Sequence, residues 1–186
     1  MALDPVLEAR YRQLFRFYDR DGDGVHTLAG DFEPVAHALA DRWGDRPTPF
    51  PDLLHLLIHT YAHENQRRDL AGTGKVRVEG FVASHDQVFE AFQAKPEEAQ
   101  DFINRSAGGF FDVLDLDGDG VLGVDDLQAF AAAYGHPAEG VASNLARMLA
   151  EMQLPPDRLP RAVFLELVAQ FWFDPSPTAP GRLLFG

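Results

Sequence analysis

The chain has 186 residues, 46% of them hydrophobic, so it is long enough to bury one sizeable core or two small lobes packed together. Its formal net charge of -13 and pI of about 4.8 argue against nucleic acid and anionic membranes as partners, because both require a basic surface. It contains no cysteine, which excludes a disulfide framework and a thiolate zinc site.

The N-terminal residues 1–10 contain neither a basic cluster nor an apolar run. No stretch of the chain approaches the roughly 18 apolar residues that a membrane-spanning helix needs. We therefore expect a soluble, cytoplasmic protein that does not insert into membranes.

The first predicted helix leads directly into an acidic loop. One apolar face with helical spacing is formed by Leu7, Tyr11, Leu14, Phe15 and Tyr18. The following residues, DRDGDG, place carboxylates at Asp19, Asp21 and Asp23 beside Gly24. Three carboxylates at alternate positions, followed by a glycine that permits a sharp turn, suit a loop folded around a hard cation of calcium size. A second predicted helix carries Phe32, Val35, Ala36, Leu39 and Trp43.

Three histidines at four-residue intervals, His55, His59 and His63, lie on one stripe of a predicted third helix. Two histidines at this spacing can share a transition-metal ion, but no glutamate stands between them as a zinc hydrolase requires. The pattern favours ordinary surface or half-buried histidines, and a metal or catalytic role is the alternative.

Residues 69–80 keep the glycine and the apolar pairing residue of the acidic loop but lack most of its metal-binding side chains. Gly74 and Val76 occupy the sixth and eighth positions, but Ala71 and Thr73 replace acids and Gly80 stands at the twelfth position. We expect this segment to pair with the first loop and to bind no ion.

The acidic pattern then recurs as DLDGDG, with Asp115, Asp117 and Asp119 before Gly120. The predicted helices on either side carry Phe102, Phe110, Phe111 and Leu114 before the loop, and Leu127, Phe130, Ala131 and Tyr134 after it. Residues 152–163 form a fourth, strongly altered loop, in which Leu159 is the expected pairing residue.

Helix, twelve-residue loop, helix is the arrangement of the EF-hand, and the residues quoted above carry that resemblance. Four such units in one chain, two of them inactive, are similar to the sarcoplasmic calcium-binding proteins and their bacterial relatives such as calerythrin. The resemblance implies an all-α fold in which two paired EF-hand lobes form one compact body. We expect an N-terminal pair over residues 1–95, with loops at 19–31 and 69–80, and a C-terminal pair over residues 96–173, with loops at 115–126 and 152–163.

The end of the chain, FWF followed by DPSPTAPGRLLFG, resembles the closing segment of the bacterial members. That resemblance implies that residues 174–186 fold back onto the body. Leu183, Leu184 and Phe185 would otherwise form an exposed apolar patch.

The third loop offers a nearly complete set of calcium ligands. Asp115, Asp117 and Asp119 supply side-chain oxygens, and the carbonyl of Val121 serves the seventh position. The twelfth position holds Asp126, which is one methylene shorter than the usual glutamate and favours ligation by one oxygen. We expect weaker calcium affinity and better tolerance of magnesium.

The first loop has no ligand at its twelfth position, which is Gly30. If one residue is inserted, Asp31 can close the site, with the carbonyl of Val25 and with Thr27, bound directly or through water, as further ligands. The alternative is a loop that binds feebly or binds only magnesium. His26 replaces the usual aliphatic pairing residue and is expected to weaken the contact with Val76, while its backbone can still form hydrogen bonds.

These patterns predict a calcium-binding protein that uses Ca²⁺, or Mg²⁺ at the same loops, as a buffer or for structural stability. A sensor exposes a methionine-rich groove, but the chain has three methionines, and Met148 and Met152 lie beside an inactive loop. No protein target is indicated, and no catalytic residues can be singled out.

A second hypothesis concerns the aromatic interior, which includes 15 phenylalanines. Photoproteins that resemble this family enclose an oxidisable chromophore among their helices. By analogy, the chain could bind or convert a small hydrophobic molecule, with Trp43 and His59 as the residues to test. Aromatic residues at helical spacing are more often plain core.

Overall fold

The computed structural model describes residues 3–186, which form an all-α fold with one small sheet, as predicted. The helices of this part of the chain are α1 Pro5–Tyr18, α2 Glu33–Asp41, α3 Leu53–Arg68, α4 Val78–Ala94, α5 Pro96–Leu114, α6 Val124–Ala133, α7 Val141–Glu151 and α8 Arg161–Phe173. The strands are β1 Val121–Leu122 and β2 Leu159–Pro160. Among the described residues, no helix is long and apolar enough to cross a membrane.

The four loops pair across short extended segments. Strands β1 and β2 are antiparallel, with Leu122 opposite Leu159, the residue that the sequence indicated. The first and second loops meet at a single bridge, in which His26 and Val76 exchange backbone hydrogen bonds with N···O distances of 2.8 and 3.0 Å. The histidine at the pairing position therefore keeps the backbone contact.

The segment between the first loop and α2 contains a π-helical turn, Leu28–Phe32. The N–H of Glu33 donates to the carbonyl of Leu28, five residues earlier, so this turn contains one more residue than an α-helical turn. It begins at Thr27, whose hydroxyl accepts a hydrogen bond from the N–H of Gly30. The extra residue in this loop is thus accommodated as a bulge, and Asp31 faces a buried position.

The largest apolar cluster joins the two halves of the chain. Phe32, Val35 and Leu39 from the first half pack in the same cluster as Phe111 and Leu145 from the second half. The side chain of Trp43, which lies just beyond the end of α2, donates from Nε1 to the carbonyl of Val113 at 3.1 Å. A smaller cluster brings Leu7, Tyr11, Leu14 and Phe15 of α1 against Val76, Phe81 and Phe171.

The end of the chain lies against α7 and α8 through a 3₁₀ turn, Pro180–Leu183. Arg182 forms an ion pair with Glu151 at 2.6 Å, and Asn144 donates to the carbonyl of Leu183. A Cβ atom on Gly181 would lie 2.5 Å from the carbonyl oxygen of Leu167, so only glycine permits this approach. Phe185 packs edge to face against Phe171.

Two histidines are buried within the N-terminal half. His26 and His85 are 0% and 1% exposed, and burial lowers the pKa of His26 to about 4 from its ordinary value of 6.5. Burial, reinforced by the positive charge of Arg68, lowers the pKa of His85 well below that value. Both side chains are therefore neutral in the folded protein at neutral pH.

We predict that acid destabilises the metal-free protein through these histidines. Below pH 6.5 the unfolded chain binds protons that the folded chain excludes, so the free energy of unfolding falls as the pH drops from 6.5 towards 4. Each buried histidine contributes at most about 1.4 kcal/mol per pH unit in this window. Urea unfolding in EDTA at pH 7.5, 6 and 5 should show a shallower dependence for His85→Leu than for the parent.

The matched control is His37→Leu, because His37 is exposed on α2. This variant should retain the parental pH dependence. Equal slopes for His85→Leu and the parent would show that His85 does not exclude a proton in the folded state.

Candidate metal centre

The first loop gathers three carboxylates from two separate elements. Oxygens of Asp19, Asp21 and Asp31 all lie within 4.8 Å of one another. The chain turns back because the N–H of Gly24 donates to Asp19 Oδ2 at 3.0 Å, and the N–H of Asp23 donates to Asp21 Oδ1 at 3.1 Å. Asp23 lies outside this group, and its Oδ1 accepts from the N–H of Val25.

The contacts of Asp31 match those of the closing residue in the third loop. In the third loop the N–H of Gly123, at the ninth position, donates to Asp126 Oδ2 at 3.0 Å. In the first loop the N–H of Thr27, also at the ninth position, donates to Asp31 Oδ2 at 2.7 Å. Asp31 therefore occupies the place of Asp126, one residue later in the chain.

The donors and burial of the first loop suit a cation. Asp31 is fully buried, and this burial raises the pKa of its carboxyl group, although hydrogen bonds from the backbone of Thr27 and Arg20 act in the opposite direction. Asp19 Oδ1 is buried and has no hydrogen-bond partner among the described residues. An unpaired buried carboxylate oxygen beside two further carboxylates is costly unless a cation balances it.

The third loop gathers Asp115, Asp117 and Asp119, whose oxygens also lie within 4.8 Å of one another. Asp115 accepts hydrogen bonds from the N–H groups of Gly118 and Gly120 at 3.0 and 2.9 Å. Burial raises the pKa of Asp115, and its hydrogen bond from Gly120 partly offsets that increase. The backbone pattern repeats that of the first loop, so both can enclose the same kind of ion.

Arginines contact two of the third-loop carboxylates. Arg42, which follows α2, forms an ion pair with Asp126 Oδ1 at 3.0 Å, and Arg158 pairs with Asp119 at 3.0 Å. Asp126 is not one of the three carboxylates of that cluster. Among residues 3–186, no ion pair is formed by Asp19, Asp21, Asp23 or Asp31. The sequence favoured the third loop as the calcium site. Among the described residues, however, arginines compete with calcium for the carboxylates of the third loop and not for those of the first loop.

The remaining sequence candidates do not form metal clusters. Within the described part of the chain, the second and fourth loops contribute no group of three metal-binding side chains. His55, His59 and His63 are exposed on α3 and belong to no such group either. The ring centroids of His55 and His59 are 6.3 Å apart. This placement agrees with ordinary surface histidines.

A cavity of about 450 Å³ lies among the helices, lined mainly by apolar and aromatic side chains. Trp43 and His59, which the sequence suggested for a small-molecule site, do not line it. Trp43 is instead buried with its indole N–H bonded to Val113, and His59 is exposed. The choice of these two residues was wrong, because it rested on an analogy of residue type, whereas tertiary packing decides which residues face the cavity.

The polar residues that do line the cavity include Arg68 and His85, which the sequence analysis missed. Each interrupts an apolar helical face: Arg68 lies seven residues after Tyr61, and His85 lies four residues after Phe81. A charged or polar residue at such a position was the available signal. Arg42 left no comparable signal, because its partner Asp126 is 84 residues away.

The chain is similar in sequence to known calcium-binding proteins. No family model matches it. It is 30% identical over 161 residues to the probable calcium-binding protein CML17 of Oryza sativa subsp. japonica. The aligned region covers 86% of this chain and 88% of that protein.

Solved structures share the fold. The coelenterazine-binding protein of Renilla muelleri, in its calcium-loaded apo form, has a TM-score of 0.66 at 17% identity and covers 99% of both chains. The sarcoplasmic calcium-binding protein of amphioxus has a TM-score of 0.64 at 16% identity, over 100% of this chain and 99% of that one. The predicted resemblance to sarcoplasmic calcium-binding proteins is confirmed at the level of fold.

We predict that Gly30→Ala weakens calcium binding at the first loop. A Cβ atom on Gly30 would lie 2.9 Å from both Asp21 Oδ2 and Thr27 Oγ1, so Asp21 must move away from the cluster. A loss of roughly tenfold in affinity, about 1.4 kcal/mol, is expected. Isothermal titration with calcium in an Asp115→Ala background isolates the first site. The control Gly109→Ala, where a Cβ atom meets open space, should have no effect.

Removing Arg42 should have the opposite effect at the third loop. A guanidinium 3.0 Å from Asp126 opposes a second cation at the same carboxylate, so Arg42→Gln is expected to raise calcium affinity. The gain should be about two- to fivefold, as for a partly exposed ion pair. Titration in an Asp19→Ala background measures it, and Arg12→Gln controls for net charge. A lower affinity would instead indicate that Arg42 positions Asp126 for ligation.

Proposed function

The chain belongs to the EF-hand superfamily of calcium-binding proteins, and on that premise we propose that it is a cytoplasmic calcium buffer with ion sites in its first and third loops. Binding of calcium draws together carboxylates that repel one another in the empty loop and stabilises the folded state by mass action. The first loop joins α1 to α2, and the third loop joins α5 to α6.

The observation that carries this proposal is the equivalent place of Asp31 and Asp126, which gives each loop a closing carboxylate. In the first site we assign as ligands Asp19, Asp21, Asp23, the carbonyl of Val25, Thr27 and Asp31. In the third site we assign Asp115, Asp117, Asp119, the carbonyl of Val121 and Asp126. Both closing residues are aspartates, which supports tolerance of magnesium at the same loops.

The distribution of methionine supports a buffer over a sensor. Met148 is 3% exposed and packs in the large cluster with Leu145 and Leu149, so it presents almost no surface to solvent. A sensor needs a hydrophobic surface that opens when the ion binds. Of the exposed large hydrophobic side chains among the described residues, Leu56 and Phe102 line the cavity described above, and Leu70 lies in the second loop.

We expect calorimetric titration of the parent with calcium to give two sites. Asp19→Ala and Asp115→Ala should each remove one site, because each deletes the first ligand of its loop. Magnesium should compete at both sites. The control is Asp69→Ala, in which the first residue of the inactive second loop is changed, and which should leave both sites intact.

An Asp115→Ala protein that binds as many ions with the parental affinity would refute the third site, and the same result for Asp19→Ala would refute the first. Strong calcium-dependent retention of the parent on a phenyl resin would contradict the buffer role, since it would reveal an apolar surface exposed by the ion.

A second candidate function is the binding of a small hydrophobic molecule. The cavity of about 450 Å³ favours it, because this volume is within the range of about 300–1,000 Å³ typical of ligand pockets. The coelenterazine-binding protein of Renilla muelleri has the same fold, which supports the interior as a ligand site here. No set of side chains in the cavity points to a chemical reaction, so we propose binding and not catalysis.

A further inference from the structure

The central cavity contains a buried charge that its own walls do not fully satisfy. Arg68, at the end of α3, lines the cavity and is 7% exposed. Its guanidinium lies over the ring of Phe81, 5.1 Å from the centroid, and contacts Glu64 at 3.2 Å. Its Nε has no hydrogen-bond partner among the described residues. Because arginine remains protonated in proteins, this is an unused cationic donor in an apolar setting.

The balance of charge along the cavity wall is positive. Glu64 is the one carboxylate among the described residues that line the cavity, and it is shared between Arg68 and Arg67, which contacts it at 2.8 Å. Arg105 also lines the cavity, and its side chain donates to the backbone carbonyl of Asp101. This excess of positive charge on the cavity wall is opposite in sign to the net charge of the protein, which is -13. A ligand with one negative charge would neutralise the cluster of Arg67, Arg68 and Glu64.

A second buried polar atom lies in the same wall. His85 Nδ1 is 2.6 Å from the carbonyl of Phe81, and because a carbonyl can only accept, Nδ1 carries the proton. Nε2 is then an acceptor, and it has no partner within the part of the chain that the structure describes. Trp172 stacks on the same ring with a centroid distance of 4.6 Å. The atom suits a hydroxyl group or a water molecule next to an anionic head group.

The remaining wall is mainly apolar, although it includes the hydroxyl-bearing residues Tyr18, Thr60, Tyr61, Ser106 and Tyr134, and the end of the chain completes it. Phe110, Phe130 and Phe164 line the cavity, together with Leu184 and Phe185 of the last residues. Such a surface favours an apolar ligand body in proportion to the area removed from water. The cavity thus combines a large apolar volume with one localised cationic region.

We propose that the cavity binds an amphiphile with an apolar chain or ring system and a single carboxylate, held with the carboxylate beside Arg68. This proposal rests on the second candidate function and specifies the class of its ligand. The guanidinium charge of Arg68 attracts the carboxylate, and a turn of this side chain that exposes its buried Nε gives that nitrogen the partner it lacks. A neutral ligand of the same shape leaves that nitrogen unsatisfied and should bind more weakly.

The test compares decanoate with 1-decanol, which have the same apolar body and differ in charge. The full chain in calcium buffer, stripped of lipid, is titrated with each compound while tryptophan fluorescence is followed, because Trp172 lines the cavity and Trp43 does not. We expect decanoate to bind at least tenfold more tightly than decanol. Arg68→Met should abolish this difference, because it keeps the side-chain volume and removes the charge.

Glu64 remains paired with Arg67 in the Arg68→Met variant, so no carboxylate is left without a partner. The control Arg77→Met makes the same change of net charge at an exposed residue outside the cavity and should bind as the parent does. Circular dichroism and calcium titration establish that each variant is folded. Arg68→Lys, which keeps the charge and removes the Nε donor, should give an intermediate preference.

The outcomes separate the two proposals. If decanol binds the parent as tightly as decanoate, the cavity still takes a hydrophobic ligand but the carboxylate class is wrong. If decanoate binds tightly and Arg68→Met does not weaken it, Arg68 is not its partner and the proposal is overturned. If neither compound binds the parent, both the ligand class and the second candidate function fail, while the calcium sites stand on their own titration.

Discussion

Two groups of carboxylates that repel one another are held within 4.8 Å by the backbone of the loops that carry them. N–H groups at the fifth, sixth and seventh loop positions donate to the carboxylates of the third-, first- and fifth-position residues, respectively, and the glycines adopt positive φ angles that make the turn possible. In the first loop this preorganisation leaves Asp19 Oδ1 buried without a hydrogen-bond partner among the described residues. The helices depend on the same contacts, since the first carboxylate of each loop follows the last residue of α1 or α5.

The loops are not independent of the rest of the molecule. Arg42 of the N-terminal half contacts Asp126 in the third loop, and Arg20 of the first loop donates from its side chain to the carbonyl of Ala133 at the end of α6. Each calcium loop is therefore in contact with the half of the chain that carries the other. Together with the shared apolar cluster, these contacts make the two loop pairs parts of one body.

The local features of this fold could be predicted from the sequence, and the features that depend on long-range packing could not. DRDGDG and DLDGDG, with helical apolar spacing on either side, identify the acidic loops and their flanking helices because these signals are local. Asp31 was an ambiguous case: the sequence showed a misplaced acid, but only the π-helical turn brings it to Thr27. Arg68 and His85 interrupt apolar helical faces in the sequence, but only the packing of distant segments shows that they line a cavity and that each has an unpaired nitrogen.

The calcium loops and the cavity share residues that adjoin each other in the chain. Tyr18 and Leu114 line the cavity and immediately precede Asp19 and Asp115, while Phe32 lines it and follows Asp31. A displacement of a helix end at either loop therefore displaces part of the cavity wall. If a ligand prefers one arrangement of these side chains, its binding changes the affinity for calcium. Thermodynamic linkage then requires calcium to change the affinity for that ligand by the same factor. The two proposed functions are in this way physically connected through three aromatic and aliphatic side chains.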